Sequence, residues 1–274
     1  MIATMKEIFA VRPDRAVAAF NVFSYEDACM VVKAAEETKC PVFLMANKPA
    51  IAYLGYEMFY AITSVLAKNA SVPVAVHLDH SSSYEGVKSA IEAGFSTVMF
   101  DGSSLPVEEN IEITKRIVKL AHDKGVSVEA EIGHVSYSDT VDPLSTVYTT
   151  PEEAKMFAEA TGIDALAVSI GTVHRMTTQD AVLRFDLLKD IKAATDTPIV
   201  IHGSTGVSDE DLVKLSKGGV RKINIGTALR HTFGCTLREE VNARPEVFDR
   251  LELFKAPMQA VYEKAKEKIL ILNK

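Results

Sequence analysis

Histidine and carboxylate side chains cluster where short apolar segments of the sequence end. In VHLDHSSSYEG (76–86), an apolar run is followed at once by Asp79 and His80, and His174 and His202 end two later apolar segments. Three imidazoles from separate elements can bind Zn2+ and leave one coordination position open, as in catalytic zinc sites. A neighbouring carboxylate can then act as a general acid or base.

Eight short apolar segments alternate with amphipathic helical patterns and must position these groups. The segments cover residues 18–22, 42–46, 74–78, 96–100, 126–132, 165–170, 198–203 and 220–225. Helix signals separate them, for example Thr150 and Pro151 at a helix start and Gly162 just past its end. Alternating strands and helices imply parallel βαβ units with right-handed connections.

A closed (β/α)8 TIM barrel is the simplest α/β fold with this order, and the length of 274 residues suits it. A doubly wound open sheet is the alternative, although no glycine-rich dinucleotide fingerprint follows the first strand. We predict a single barrel domain over residues 1–274, with a helical extension after Gly226 that carries oligomer contacts. In such a barrel, catalytic groups lie at the carboxyl ends of the strands.

Polar residues end most of the predicted strands and would therefore meet at that mouth. They are Asn21, Asp79, His80, Asp101, Glu129, Glu131, His174, His202, Asn224 and Thr227. Each histidine alone is weak evidence for a metal site, and only their convergence in the barrel gives them weight. His122 is interpreted as a solvated helix-end residue, His231 as a surface or interface residue, and the role of His134 stays open.

Two glycine-bearing loops follow predicted strands seven and eight, HGSTG (202–206) and NIGT (224–227). Gly203 and Gly206 permit close backbone approach, and exposed N–H groups in such loops can form an anion site. Barrel enzymes often bind phosphate with these two loops. Either loop alone also fits an ordinary strand-to-helix turn, but both together, beside a histidine cluster, favour phosphate.

Composition excludes several other classes of function. The formal net charge is −7, and Lys and Arg are scattered among acids, so neither nucleic acid nor a membrane is expected as a partner. The three cysteines, Cys29, Cys40 and Cys235, lack the spacing of a disulfide framework or a metal site. Without a signal peptide or a run of about 18 apolar residues, a cytoplasmic location is expected.

Five blocks, in this order, resemble the class II, metal-dependent fructose- and tagatose-bisphosphate aldolases over nearly the whole chain. The blocks are HLDH (77–80), SVEAEIG (127–133), TGIDALAVSIGTVH (161–174), IHGSTG (201–206) and KINIGT (222–227). The resemblance implies a lyase that reversibly cleaves a ketose 1-phosphate or 1,6-bisphosphate to dihydroxyacetone phosphate and an aldehyde. It also implies a homodimer or homotetramer.

The same resemblance implies roles for individual residues. The implied ligands of one Zn2+ per subunit are His80, His174 and His202, and Asp79 is the implied acid/base at the C4 hydroxyl. Asp101 and Glu131 match carboxylates that hold the metal in an alternative position. The implied phosphate cradle consists of Gly203, Ser204, Thr205, Gly206, Asn224 and Thr227, with a monovalent cation nearby. Asn21 and Lys48 are further candidate substrate contacts.

Two positions depart from the family pattern. Arg175 stands where the family has a glycine after the strand-six histidine, and it would either clash with the substrate phosphate or add a guanidinium to it. The loop 133–139 lacks the family's glycine pair and most of its acids. The C3 proton donor therefore stays open between His134, Tyr137 and Asp139, and the substrate is open to a different distal group, such as another anion.

Two alternatives to a zinc aldolase remain at this point. Lys222 lies two residues before Asn224, so both side chains point the same way along a strand, and a buried lysine there could form a Schiff base without metal. The other alternative is a sugar-phosphate-binding barrel that has lost turnover. Activity that survives a chelator but is trapped by borohydride would favour the Schiff base.

Overall fold

The computed structural model describes residues 2–133, 135, 147–176 and 178–274. Eight parallel strands close into a barrel in chain order, which confirms the predicted (β/α)8 fold. The strands are β1 (Val17–Asn21), β2 (Val42–Ala46), β3 (Val74–Ser81), β4 (Thr97–Phe100), β5 (Ser127–Ile132), β6 (Ala165–Val168), β7 (Ile199–Ile201) and β8 (Val220–Ile225).

Helices follow the strands and cover the outside of the barrel, except for the first helix, which precedes β1. They are α1 (Met5–Val11), α2 (Tyr25–Thr38), α3 (Lys48–Asn69), α4 (Tyr84–Ala93), α5 (Val107–His122), α6 (Pro151–Thr161), α7 (Phe185–Ala194), α8 (Asp209–Lys217), α9 (Thr227–Ala243) and α10 (Arg250–Leu272), with a 3-10 turn at Ser204–Gly206. As the sequence indicates, Thr150 caps α6, and Gly162 ends it in the left-handed conformation. After β8, α10 packs against α2 and α9.

The barrel interior is layered, because alternate residues of each strand point inward. Its amino end is apolar and is closed by α1, whose Met5 and Ile8 are fully buried against inward residues such as Phe43 and Met45. Further along the strands the interior becomes polar. His77, Thr97, Glu129 and Lys222 all lie there with 0% of their surface exposed. This polar layer lies between the apolar floor and the mouth.

One helix among the described residues, α3, is long and apolar enough to cross a membrane by length and composition. In the structure it lies against β2 and β3 in the outer ring of the barrel. Gly55, with φ 74° and ψ 166°, interrupts its helical backbone. The segment therefore serves here as a kinked outer helix of the barrel.

Asp164, at the start of β6, links three elements at the amino end of the barrel. Its carboxylate accepts a hydrogen bond from the Val128 N–H at 2.7 Å and lies 2.9 Å from His122 Nε2 and 2.8 Å from Lys6 Nζ. His122 is thus an exposed helix-end residue, as interpreted from sequence, that also contacts a buried carboxylate.

We expect Asp164→Ala to lower the free energy of unfolding by about 2 kcal/mol or more, because it strands a buried N–H and removes a charge-assisted hydrogen bond. Denaturant unfolding monitored by circular dichroism measures this change. The control is Asp123→Ala, which breaks only the exposed pair with Lys119 and should cost less than about 1 kcal/mol. Equal losses in both variants would contradict the stabilising role of Asp164.

Candidate active site

A cavity of about 320 Å³ lies at the carboxyl ends of the strands. The predicted site residues that line it are Asn21, Lys48, Asp79, His80, Asp101, His174, Arg175, Gly203, Ser204, Thr205, Asn224 and Thr227. Three other predicted residues lie outside this lining: His202 and Glu131, which are buried, and Gly206, whose Cα faces Met176. The structure thus brings residues that are distant in sequence to one mouth, as the barrel prediction requires.

Three imidazoles converge at the bottom of this cavity, where His80 and His174 line it and His202 lies buried beside them. The ring centroids of His80 and His202 are 4.5 Å apart, those of His80 and His174 are 5.0 Å apart, and those of His174 and His202 are 6.1 Å apart. Nδ1 of His202 lies 2.8 Å from Nε2 of His80. One ligand atom from each ring lies within 4.8 Å of those of the other two, which is close enough to share one metal ion.

His80 reaches this cluster because the end of β3 is irregular. His77 and Asp79 share the inward face of the strand, so strict alternation would point His80 outward. The backbone of His80 instead adopts φ +53°, in the left-handed region, and the pairing with β4 shifts register between Leu78 and Ser81. Backbone strain of this kind concentrates at functional sites. Here it accompanies the turn of an otherwise outward side chain into the mouth.

Carboxylates surround the imidazoles on the side of β4 and β5. Asp101 Oδ2 lies 2.9 Å from His80 Nδ1. Glu131 Oε2 is buried and accepts no hydrogen bond from the described residues, and it lies 3.8 Å from the same nitrogen. His80, Asp101 and Glu131 form a second group whose ligand atoms lie within 4.8 Å of one another. A buried oxygen left without a donor is what a cation could satisfy.

The electrostatics of the cluster favour a bound cation. Burial opposes the charged form of His80, but the nearby carboxylates, led by Asp79 and Asp101, outweigh it and raise its pKa to about 10. Burial and the charge of His80 hold the pKa of His174 and His202 well below the usual value. Burial, with the charge of Asp101, raises the pKa of Glu131 to about 8. His174 and His202 therefore stay neutral, as metal ligands must, whereas His80 has to release its proton to the solvent when a cation binds.

Asp79 sits beside this cluster with both carboxylate oxygens held. Asn21 Nδ2 donates to Oδ2 at 2.8 Å, and Asn224 Nδ2 donates to Oδ1 at 3.0 Å. The carboxylate is 3% exposed and lies 4.0 Å from His80 Nε2. A carboxylate fixed by two amides and open to the cavity is positioned to exchange a proton with a bound molecule.

The loops after β7 and β8 form one wall of the cavity. Gly203 has φ +67°, and a Cβ at this position would lie 2.9 Å from the carbonyl atoms of Val173. The Ser204 hydroxyl donates to the carbonyl oxygen of Asn224 and so ties the two loops together. A Cβ at Gly226 would lie 2.5 Å from Asn21 Oδ1. The glycines thus permit the close approach that the sequence pattern predicts.

Gly203→Ala is expected to lower kcat/KM by about tenfold or more. The left-handed backbone costs an alanine about 1–2 kcal/mol, and its Cβ would push on the segment that carries His174. The matched control is Gly234→Ala in α9, where an added Cβ meets nothing within 4 Å and should leave activity unchanged. Steady-state kinetics on both variants tests this, and an active Gly203→Ala enzyme would show that the loop tolerates a side chain.

A family comparison identifies the class of protein to which this site belongs. The sequence model described as "Fructose-bisphosphate aldolase class-II" matches residues 3–274. The chain belongs to the class II fructose-bisphosphate aldolase family. It is therefore an enzyme, a lyase of carbohydrate metabolism that acts on small sugar phosphates, in a family for which zinc is characteristic. The resemblance inferred from the five sequence blocks is confirmed.

Individual relatives agree with the family assignment. The fructose-bisphosphate aldolase of Staphylococcus epidermidis is 37% identical over 98% of this chain and 96% of its own length. The fructose-bisphosphate aldolase of Staphylococcus aureus has the same identity and the same coverage. A crystal structure of the YdjI aldolase from Escherichia coli K12 matches with a TM-score of 0.86 and 34% identity, covering 99% of this chain and 97% of that chain. The sequence and the fold thus point to the same family.

The backbone at Arg175 has a conformation that suits the glycine expected there from the family pattern. Arg175 has φ +61°, in the left-handed region that favours glycine. It lines the cavity next to His174, so its side chain adds a cation to the mouth. The candidate C3 proton donors of the other departure, His134, Tyr137 and Asp139, lie outside the described residues.

Sequence reasoning missed part of the candidate site. Arg230 lines the cavity, and its guanidinium lies 5.4 Å from the ring centroid of Phe23, which also lines it. The signal was present, since Arg230 follows Thr227 by three positions and so shares its face of α9. Asn47, which caps α3 through its side chain, is a further missed wall residue.

Proposed function

We propose that this aldolase cleaves a ketose 1-phosphate or 1,6-bisphosphate reversibly to dihydroxyacetone phosphate and an aldehyde. In this proposal His80, His174 and His202 hold one Zn2+ per subunit. The observation that supports it most is the convergence of these three rings, with ligand atoms within 4.8 Å of one another. The chemistry that a bound Zn2+ supplies is Lewis-acid polarisation of the C2 carbonyl.

In the same proposal Asp79 takes the proton from the C4 hydroxyl as the C3–C4 bond breaks, and returns it in condensation. The amide groups of Asn21 and Asn224 support this role, since both donate to the carboxylate and keep it in one orientation. Each leaves the oxygen that it contacts able to accept a second hydrogen bond. The substrate hydroxyl would be that second donor.

The wall formed by the loops after β7 and β8 is proposed to hold the substrate phosphate. Gly203, Ser204, Thr205, Asn224 and Thr227 line the cavity there. Gly206 does not line the cavity, and its role would be indirect: without a side chain it lets Met176 pack closely against this loop. Cationic side chains at the same mouth, from Lys48, Arg175 and Arg230, suit an anionic substrate. A monovalent cation beside the phosphate remains an expectation from the family, as does Asp101 with Glu131 as an alternative metal position.

The experiment that tests this function is a screen of ketose 1-phosphates and 1,6-bisphosphates with zinc-loaded protein, scoring the release of dihydroxyacetone phosphate. Cleavage of at least one such ketose is expected. Protein that binds dihydroxyacetone phosphate but exchanges none of its C3 protons with solvent would instead support a barrel that has lost turnover. The screen also resolves the distal group and the configuration at C4.

The buried environment of Lys222 does not favour the Schiff-base alternative. Its Nζ lies 2.8 Å from Glu129 Oε2. The side chain is fully buried, and the cavity is lined by other residues of the described chain. A Schiff-base lysine must contact its substrate. A substrate carbonyl in the cavity could reach Lys222 only if the residues that line the cavity moved aside.

Three wider expectations complete the proposal. We propose a homodimer or homotetramer, a single barrel domain with a C-terminal helical extension over residues 1–274, and a cytoplasmic location. Exposed apolar residues near the junction of α9 and α10 within the extension, Phe248 at 95% and Leu251 at 76%, support the oligomer contacts expected there. Light scattering coupled to size-exclusion chromatography gives the oligomeric state directly.

A further inference from the structure

A chain of buried polar groups runs down from His202 beneath the imidazole cluster, and two of its members, Glu129 and Lys222, have no role in the proposed chemistry. Lys222 Nζ lies 2.8 Å from Glu129 Oε2, and Glu129 Oε1 lies 2.8 Å from His202 Nε2. All three residues have 0% of their surface exposed. Buried charges are costly unless they are paired, so this arrangement needs a reason beyond chance.

The two ring nitrogens of His202 face different partners. Nε2 faces the Glu129 carboxylate, and Nδ1 faces His80 Nε2 at 2.8 Å, in the imidazole cluster. A carboxylate only accepts hydrogen bonds, so it selects the tautomer that carries its proton on Nε2. That tautomer leaves the lone pair of Nδ1 directed toward the cluster, where a metal ligand needs it.

A second group, the side-chain amide of Asn224, also faces His202 Nε2, but at a longer distance than Glu129 does. Asn224 Nδ2 lies 3.3 Å from His202 Nε2, and an amide donor there would favour the opposite tautomer. That amide is closer to Asp79, to which it donates at 3.0 Å. The shorter contact from Glu129 therefore decides the tautomer of His202.

Lys222 determines how Glu129 can act. It occupies the second carboxylate oxygen and supplies the positive charge that a fully buried carboxylate requires. We propose that Glu129, held by Lys222, is a positioning residue that keeps Nδ1 of His202 available to the metal. This inference rests on the proposed zinc site. It gives Lys222 a role in metal binding without contact with the substrate.

The Glu129→Gln variant separates positioning from mere packing. With Lys222 present, the glutamine carbonyl must accept from the ammonium group, so the amide N–H turns to His202 Nε2. That donor forces the proton of His202 onto Nδ1 and blocks the metal lone pair. In the double variant Glu129→Gln with Lys222→Met, the carbonyl is free to accept from Nε2, and the metal-binding tautomer returns.

The test measures zinc affinity by competition with a chromophoric chelator, and the His202 tautomer by NMR on protein labelled with 15N-histidine. Glu129→Gln should bind zinc about 10- to 100-fold more weakly than the parent, with the Nε2 proton signature of His202 lost. The double variant should recover an affinity within about threefold of the parent. A purely structural role predicts no such recovery, because the double variant removes two buried partners.

Thr97→Val is the matched control, since it removes the buried hydroxyl that lies 2.7 Å from His77 Nδ1, an imidazole outside the proposed ligand set. It should bind zinc as the parent does. Unchanged affinity in Glu129→Gln, or equally weak binding in the double variant, would overturn the inference. If Glu129→Gln does not fold, the double variant alone decides. A parent protein that binds no zinc would instead refute the proposed function.

Discussion

Asp79→Asn is expected to lose turnover by a factor of about 150 or more while it keeps its zinc. Removal of the only proposed base at the C4 hydroxyl should cost about 3 kcal/mol of transition-state stabilisation, which corresponds to that factor. An asparagine also presents an N–H to Asn21 or Asn224, which donate to the carboxylate in the parent. Steady-state cleavage assays with a ketose found active in the screen measure the loss.

The control for this variant is Asp27→Asn, which makes the same change at a half-buried carboxylate that does not line the cavity. Asp27 accepts hydrogen bonds from the Phe23 and Ser24 N–H groups at the start of α2, and burial raises its pKa to about 6. Its replacement should leave kcat within about threefold of the parent. Near-parental turnover in Asp79→Asn would remove Asp79 from the acid/base role, whatever the zinc content.

His80→Gln is expected to abolish activity, with a loss of roughly a thousandfold or more, and to reduce bound zinc from about one per chain to near zero. Among the described residues, His80 belongs to both groups of ligand atoms that could hold a metal ion, so its removal leaves neither complete. Chelation of the parent protein should produce the same loss, and added Zn2+ should restore activity only in the parent.

His231→Gln is the matched control, because it removes an imidazole in α9 that neither group of ligand atoms includes. It should retain both zinc and activity. Metal content by atomic emission and cleavage rates on the same samples provide the comparison. A chelated parent that cleaves its substrate at the original rate would rule out a metal-dependent mechanism.

Much of the fold follows from periodicity in the sequence. The eight apolar segments correspond to β1–β8, and β2 and β8 have the predicted bounds. The ends differ where local geometry decides: β3 continues to Ser81 through a register shift, whereas β7 stops at Ile201, before the left-handed Gly203. Pairing between neighbouring strands sets these ends, and a single sequence does not display it.

The sequence predicts which residues lie at the strand ends, but not how their side chains are oriented or which of them contact one another. Strict alternation along β3 would place His80 on the outside of the barrel, and its left-handed backbone could not be foreseen from the residue type. The partner of Lys222 could not be predicted from the sequence either. Lys222 in β8 contacts Glu129 in β5, 93 positions earlier in the sequence, and this contact depends on closure of the barrel.

Zinc-edge anomalous scattering from crystals of the zinc-loaded protein tests the central claim most directly. One peak per chain is expected, at about 2.0–2.1 Å from a ring nitrogen of each of His80, His174 and His202. A zinc peak coordinated by other residues, or no peak in crystals of fully active protein, would contradict a three-histidine metal centre at the mouth of this barrel.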